Sequence, residues 1–266
     1  MTRDSHSPDC RELDNRQRRR WRSNYVPAQF SLSRNAPASY MARQAMVKVE
    51  EVRRNYHGGT ALDLCCGAGD YAFALADSLE RIVGVDFSPE MAASARRRAA
   101  EEGRRTLHFC VANARQLPLA DASVSLVYSL AALYNIPAVE EVLAEVARVL
   151  RPGGSAVLEL GALYSLNTLV CRATPDVAEA FHLPVARMRR MLTEAGLSIE
   201  RDRSFQILPL WGARPLWLKP LLLPFWPTLL KPVIAGRMLD EWLSALPGLR
   251  RFAFRHIMIC RKGDLA

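Results

Sequence analysis

Leu62-Asp63-Leu64-Cys65-Cys66-Gly67-Ala68-Gly69-Asp70 decides the fold. Its apolar opening reads as the end of a buried strand, and Gly67 and Gly69 let the backbone turn sharply and come close to a ligand. Working outward, strands are predicted over 61–65, 81–86, 107–111, 123–129 and 155–161, with helical patterns around 72–78, 89–100 and 138–150 between them. Strand and helix alternating at this spacing specify right-handed crossovers and a mostly parallel sheet. Upstream, Ala38, Met41, Ala42, Ala45, Met46 and Val49 recur at helical spacing and predict a helix over 36–52, ended by Gly58-Gly59. Downstream come a helix near 185–195, a strand over 198–207, a Pro/Trp/Leu-rich stretch over 209–247 and a last strand near 251–260. No internal repeat is present.

The charges around the turn select its ligand. Gly67-Ala68-Gly69-Asp70-Tyr71-Ala72 also fits the Gly-x-Gly-x-x-Gly/Ala pattern of dinucleotide-binding turns. Those turns place a pyrophosphate at a helix N-terminus, where the helix dipole favours an anion. Asp70 in the turn and Asp63 before it would repel a pyrophosphate, whereas both would attract the ammonium and sulfonium of S-adenosylmethionine, which carries no phosphate. The pattern therefore predicts the sulfonium cofactor over a nicotinamide. Asp86, seventeen residues past Gly69, has two readings: a carboxylate accepting both ribose hydroxyls, or a turn residue before the helix that Ser88-Pro89 opens. Asn113-Ala114 likewise reads either as an amide with backbone groups at the height of an adenine or as a surface loop.

With 266 residues, half of them hydrophobic, the chain can bury one sizeable core. Six scattered cysteines without a CxxC pair or a Cys/His ladder argue for reduced thiols in a cytoplasm and against a disulfide framework or a metal site. Residues 1–24 are polar and Arg-rich and are expected to form a disordered basic arm. They lack the apolar core of a secretory signal, and no run of about 18 apolar residues is present to span a bilayer, so a cytoplasmic protein, soluble or peripheral to a membrane, is expected. The net charge of +9, with arginines gathered at 16–22 and 187–190, suits nucleic acid, an acidic substrate or an anionic membrane face, and equally a solvated basic surface.

The segments LDLCCGAGD, VGVDFSPEM, ANARQLPLADASVSLVYS, ALYNIP and EVARVLRPGGSAVLELG, in this order over about 60–161, resemble the class I S-adenosylmethionine-dependent methyltransferases, particularly the type-11 and ubiquinone/menaquinone-biosynthesis-like group. The resemblance implies an α/β, Rossmann-like, doubly wound sheet of seven strands with the last inserted antiparallel, an N-terminal helix and an apolar insertion before the last strand. It implies one domain over 25–266, with a cap or lid at 208–250. It places Asp63, Gly67 and Gly69 at the methionyl end of the cofactor, Asp86 at the ribose and Asn113 with Ala114 at the adenine, and Cys65, Phe87, Met91 and Ser129 complete the expected cofactor contacts. The chain departs from the family pattern at Cys65, where Gly is usual, and at Asn113, where Asp is frequent.

Methyl transfer from a sulfonium is an in-line displacement in which positioning supplies much of the rate, so no fixed catalytic constellation is required. The resemblance implies an acceptor cleft formed by 25–40, 129–136, 161–182 and 209–247, which makes Tyr25, Tyr40, Tyr134, Asn135, Asn167, Gln206 and Trp211 candidate substrate contacts. His182 and Glu159 are the candidate bases for an alcohol or phenol acceptor; a loop-ordering histidine and a satisfied buried carboxylate are the plainer readings of the two. No Asp/Asn-Pro-Pro-Tyr follows the fourth strand, where the sequence reads Tyr128-Ser129-Leu130-Ala131-Ala132, so base methylation of nucleic acid is not expected. The expected activity is methylation of an oxygen or carbon on a small hydrophobic or lipid- or sugar-linked metabolite, with peripheral lipid contact through 209–242. The rivals are an RNA or protein methyltransferase and a non-catalytic cofactor-binding subunit; the oligomeric state is open.

Overall fold

The computed structural model describes residues 39–173, 181–209, 215–223 and 225–263. The expected basic arm and two candidate substrate contacts, Tyr25 and Trp211, lie outside them. Seven strands, β1 (Thr60–Leu64), β2 (Arg81–Asp86), β3 (Leu107–Val111), β4 (Val124–Ser129), β5 (Leu150–Gly161), β6 (Leu197–Phe205) and β9 (Arg255–Lys262), form one sheet in the order β3-β2-β1-β4-β5-β9-β6. The neighbours from β3 to β5 pair parallel, and β9 runs antiparallel between β5 and β6. The order reverses beside β1, and in open α/β sheets that reversal opens a crevice at the C-terminal strand ends.

Both faces of the sheet are covered, and the strands supply apolar residues to each in alternation. Leu62, Leu64, Val127, Leu158 and Met258 face α4 (Val139–Val149) and α6 (Val185–Glu194). Ala61, Leu126, Tyr128, Val157 and Ile257 face α1 (Tyr40–Arg54), α2 (Asp70–Leu75) and α3 (Pro89–Glu101). Period-two alternation between two helical layers produces this arrangement. The helices begin at local signals. Ser39 Oγ accepts from Ala42 N–H at 3.1 Å to start α1, and Ser88 Oγ accepts from Met91 N–H at 3.3 Å ahead of Pro89 in α3.

Three details differ from the sequence expectations. β5 starts at Leu150, not 155, because its pairing with β4 jumps from Leu150 opposite Val124 to Ser155 opposite Leu126, a bulge that absorbs the Pro152-Gly153-Gly154 turn. The segment after β5, expected as loop, contains α5 (Leu166–Ala173), whose first turn is capped by Ser165 Oγ accepting from Thr168 N–H at 3.1 Å. Within the expected cap, a 3-10 turn (Leu216–Leu222), α7 (Trp226–Leu230), a ribbon of β7 (Val233–Ile234) with β8 (Arg237–Met238), and α8 (Leu239–Ala245) follow one another. A small core of Tyr40, Leu230 and Met238, with Val47, Leu208 and Leu243 against it, fastens this insertion to the start of α1. No described helix is long and apolar enough to cross a membrane.

Candidate active site

Between β1 and α2 the backbone takes the left-handed conformation at Cys65 (φ 61°), Gly67 (φ 54°) and Gly69 (φ 83°). Glycine adopts it freely; Cys65 does so against a steric cost of roughly 1–2 kcal/mol. Gly69 has a second reason to be glycine, since a Cβ there would lie 2.9 Å from the Phe109 ring. Asp86, at the end of β2, braces the turn: its carboxylate accepts from Gly67 N–H and from Ser88 N–H, each at 2.9 Å. Ser129 donates to the Leu64 carbonyl at 2.8 Å, tying the end of β4 to the end of β1. Asp86 is therefore a turn-holding carboxylate whose two oxygens keep acceptor capacity for a further donor. Met91 is buried below the turn and Phe87 half-buried beside it. Asn113 is exposed at the end of β3, its side-chain oxygen accepting from Arg115 N–H at 3.1 Å, with Ala114 buried next to it.

Asp63 lies in register with Gly84 of β2 and Tyr128 of β4 and is buried. Its Oδ2 and the Tyr128 hydroxyl have no hydrogen-bond partner among the described residues. Burial pushes the Asp63 carboxyl up to about 8; nearby Asp86 and Asp70 add to the rise, while Tyr128 and the Ala72 amide oppose it. A cation placed there would satisfy the orphaned oxygen and offset the desolvation, so the residues present fit the ammonium of S-adenosylmethionine. Asp70 contributes less than its sequence position suggested, because Arg98 pairs with it at 3.1 Å. Asp63, with its unpartnered oxygen, is thus better suited than Asp70 to a ligand's ammonium.

Around Glu159 of β5 lies one connected polar network. Glu159, on β5, is fully buried; Lys48 Nζ lies 2.9 Å away, Arg255 pairs with it directly, and Ala131 N–H donates to it at 2.7 Å. Despite the burial that opposes it, the two cations hold the Glu159 carboxyl down at about 2, a state that takes no proton near neutrality, so Glu159 is not a base. Arg255 also donates to the Tyr134 hydroxyl at 2.8 Å and to the Gln206 side-chain oxygen at 2.7 Å. Gln206 Nε2 donates to Asn167 at 2.8 Å, and Asp240 accepts from Tyr40 O–H at 2.7 Å and from Gln206 N–H at 2.5 Å. Four candidate substrate contacts, Tyr40, Tyr134, Asn167 and Gln206, thus meet through Arg255 and Asp240. Asn135 ends the 3-10 turn Leu133–Asn135. Arg255, Lys48 and Asp240 were not singled out from the sequence.

His182 stands at the edge of this network. Thr168 O–H donates to the Ala162 carbonyl at 2.9 Å, so the 2.8 Å contact between Thr168 Oγ1 and His182 Nδ1 is one in which the ring donates. That assignment leaves Nε2 as a bare lone pair, buried and without a partner among the described residues. The ring packs edge-on against Phe254, with centroids 4.9 Å apart. Burial, with Arg255 and Arg172 adding to it, lowers its pKa to about 4, so the imidazole is neutral and able to accept. His256, in contrast, pairs with Asp202 at 3.0 Å within the β6–β9 strand pair.

Comparison with known proteins agrees with this geometry. A methyltransferase domain family model matches residues 62–158. The chain is 34% identical over 167 residues to the demethylmenaquinone methyltransferase of Thermus thermophilus, covering 53% of this chain and 75% of that one. It is 39% identical over 103 residues to the enzyme of that name from Lactococcus lactis, covering 38% and 41%. With three such relatives the match spans only 41%, 48% and 44% of their length. A solved S-adenosylmethionine-dependent methyltransferase from Methanosarcina mazei, at 18% identity, shares the fold with a TM-score of 0.57 over 81% of this chain and 98% of its own. The turn, sheet order and orphaned carboxylate define a class I methyltransferase architecture. The chain belongs to the class I S-adenosylmethionine-dependent methyltransferases, in their ubiquinone/menaquinone-like group.

Proposed function

We propose that the protein transfers a methyl group from S-adenosylmethionine to an oxygen or carbon of a small hydrophobic or lipid-linked metabolite. The observation that carries the reading is the presence of a buried carboxylate with an unpartnered oxygen, Asp63 Oδ2, at a glycine turn and of an unpartnered buried imidazole nitrogen, His182 Nε2, beside the Arg255 network. The cofactor supplies an electrophilic methyl on a good thioether leaving group. Asp63 would hold its ammonium, Asp86 its ribose, and the Asn113–Ala114 stretch its adenine. In this reading His182, oriented by Thr168, takes the proton that the acceptor sheds, and Arg255 with Tyr134 would stabilise a developing oxyanion. The relatives named demethylmenaquinone methyltransferases make an aromatic quinol the first acceptor to try, and the ring faces of Phe254, Tyr134 and His182 would suit one.

The test incubates purified protein and labelled cofactor with quinols, phenols, hydrophobic alcohols and glycolipids. Label should enter the organic phase with a quinol or phenol. Transfer only to RNA or protein contradicts the reading.

A further inference from the structure

Sixteen large hydrophobic side chains are exposed among the described residues, and eleven of them lie between 216 and 252. Concentration on that scale marks a contact face. Trp217 (68% exposed) and Phe225 (52%) project from the insertion, and Val233 and Ile234 form the exposed strand of its ribbon. Trp242 Nε1 donates to the Ile234 carbonyl at 3.0 Å, which fixes the ribbon against α8.

Next to the ribbon opens a cavity of about 130 Å³, lined by Glu51, Arg54, Arg201, Arg203 and the turn Ala235-Gly236-Arg237. Its one lining carboxylate is already engaged: Glu51 accepts from Arg203 at 2.5 Å, and Arg203 also grips Glu241 with two bonds of 2.6 Å. The other three guanidiniums are half-exposed and under-used. Arg201 gives one bond to Glu51, and Arg54 bonds the exposed Glu50 on its own helix. Arg237 comes no closer to Glu241 than 3.9 Å and rests over the Trp242 ring. Half-exposed guanidiniums therefore line a phosphate-sized space, and Gly236 leaves the turn open, with nothing within 4 Å of where its Cβ would stand.

We propose that this arginine cavity takes the phosphate of an anionic membrane phospholipid, with the ribbon and the neighbouring aromatics resting in the headgroup layer. The apolar rim selects the lipid over a soluble anion, which would leave Val233, Ile234 and Trp242 in water. The surface joins C-terminal α1, β6 and the insertion, apart from the Asp63 turn, so it carries a membrane contact that methyl transfer does not require.

Sedimentation with phosphatidylcholine vesicles, with and without phosphatidylglycerol, tests it without any turnover. Retention should depend on phosphatidylglycerol and weaken as salt rises. Arg201→Gln with Arg237→Gln should lower partitioning about 25-fold, at about five-fold per cation near an anionic surface. Val233→Ser with Ile234→Ser leaves the arginines in place and should also weaken retention, so the claim stands or falls even if the arginine variant melts early. Retention independent of phosphatidylglycerol, or unchanged in both variants, overturns the proposal. So does displacement by millimolar inorganic phosphate equal to that by lipid, which would make this a free-anion pocket, or tighter retention on single-stranded RNA than on vesicles.

Discussion

At the scale of single residues, the cofactor turn shows which chemistry a sequence displays and which it hides. Gly67, Gly69, Asp63 and Asp86 were legible because a turn of this kind needs positive φ and a brace, and few residue types supply them. The strain at Cys65 was not legible, since the residue's size says nothing of its φ. Cys65→Gly should raise stability by about 1 kcal/mol, read as a higher urea midpoint, because glycine meets no Cβ penalty there; part of the gain is offset by the greater freedom of glycine in the unfolded chain. His182 could be named but not its tautomer, which follows from the Thr168–Ala162 hydrogen bond. A base whose pKa is lowered to about 4 predicts that kcat with a phenol acceptor falls only on the acid side of about pH 4 to 5, and His182→Ala should remove that limb together with most of the rate. A limb near 6.5 would mean the ring is solvated.

Among the elements, α1 is the one whose phase the sequence misled. The apolar positions marked a face through Met41, Ala45, Met46 and Val49; Ala45 and Val49 are buried, but Met41 and Met46 are 47% and 65% exposed, and Tyr40, Gln44, Lys48 and Glu51 share the buried side. A polar stripe at i, i+4, i+8 and i+11 was visible, but hydrophobic periodicity has no rule for a helix that buries charges against partners from distant strands. Those partners, Glu159 on β5 and Arg203 on β6, are brought to it only by the sheet order. Removing one partner of a buried pair costs more than the pair contributes. Glu159→Gln strands both Lys48 and Arg255 and should cost roughly 3–5 kcal/mol, whereas Lys48→Met leaves Glu159 paired with Arg255 and should cost distinctly less. Urea titrations of the two variants rank them; equal losses would mean that Arg255 does not neutralise Glu159.

Over the whole molecule, the mostly parallel sheet could be read from the sequence because its strands and helices alternate between clear turn signals, whereas the antiparallel last strand came from the family resemblance. The elements inside the insertion could not, because its proline-punctuated apolar segments take their conformation from the surface on which they pack. Stability of the whole chain should carry the signature of the buried Asp63 carboxyl. The unfolded Asp63 carboxyl loses its proton near 3.8 and the native one near 8, so native protein binds the extra proton between those values and this group's contribution falls as pH rises across that window. The raised carboxyl of Asp86 acts in the same direction. Asp63→Asn should flatten the decline in melting temperature between pH 5 and 8.

Calorimetric titration of the protein with S-adenosylmethionine at pH 6.5, repeated in buffers of different ionisation enthalpy, reads the Asp63 site itself. The native protein should bind and release close to one proton as the carboxyl ionises against the ligand's ammonium, and Asp63→Asn should lose the proton release and at least ten-fold in affinity, about 1.4 kcal/mol. Binding of unchanged affinity in Asp63→Asn, or saturable binding of NADH in place of S-adenosylmethionine, would contradict the assignment.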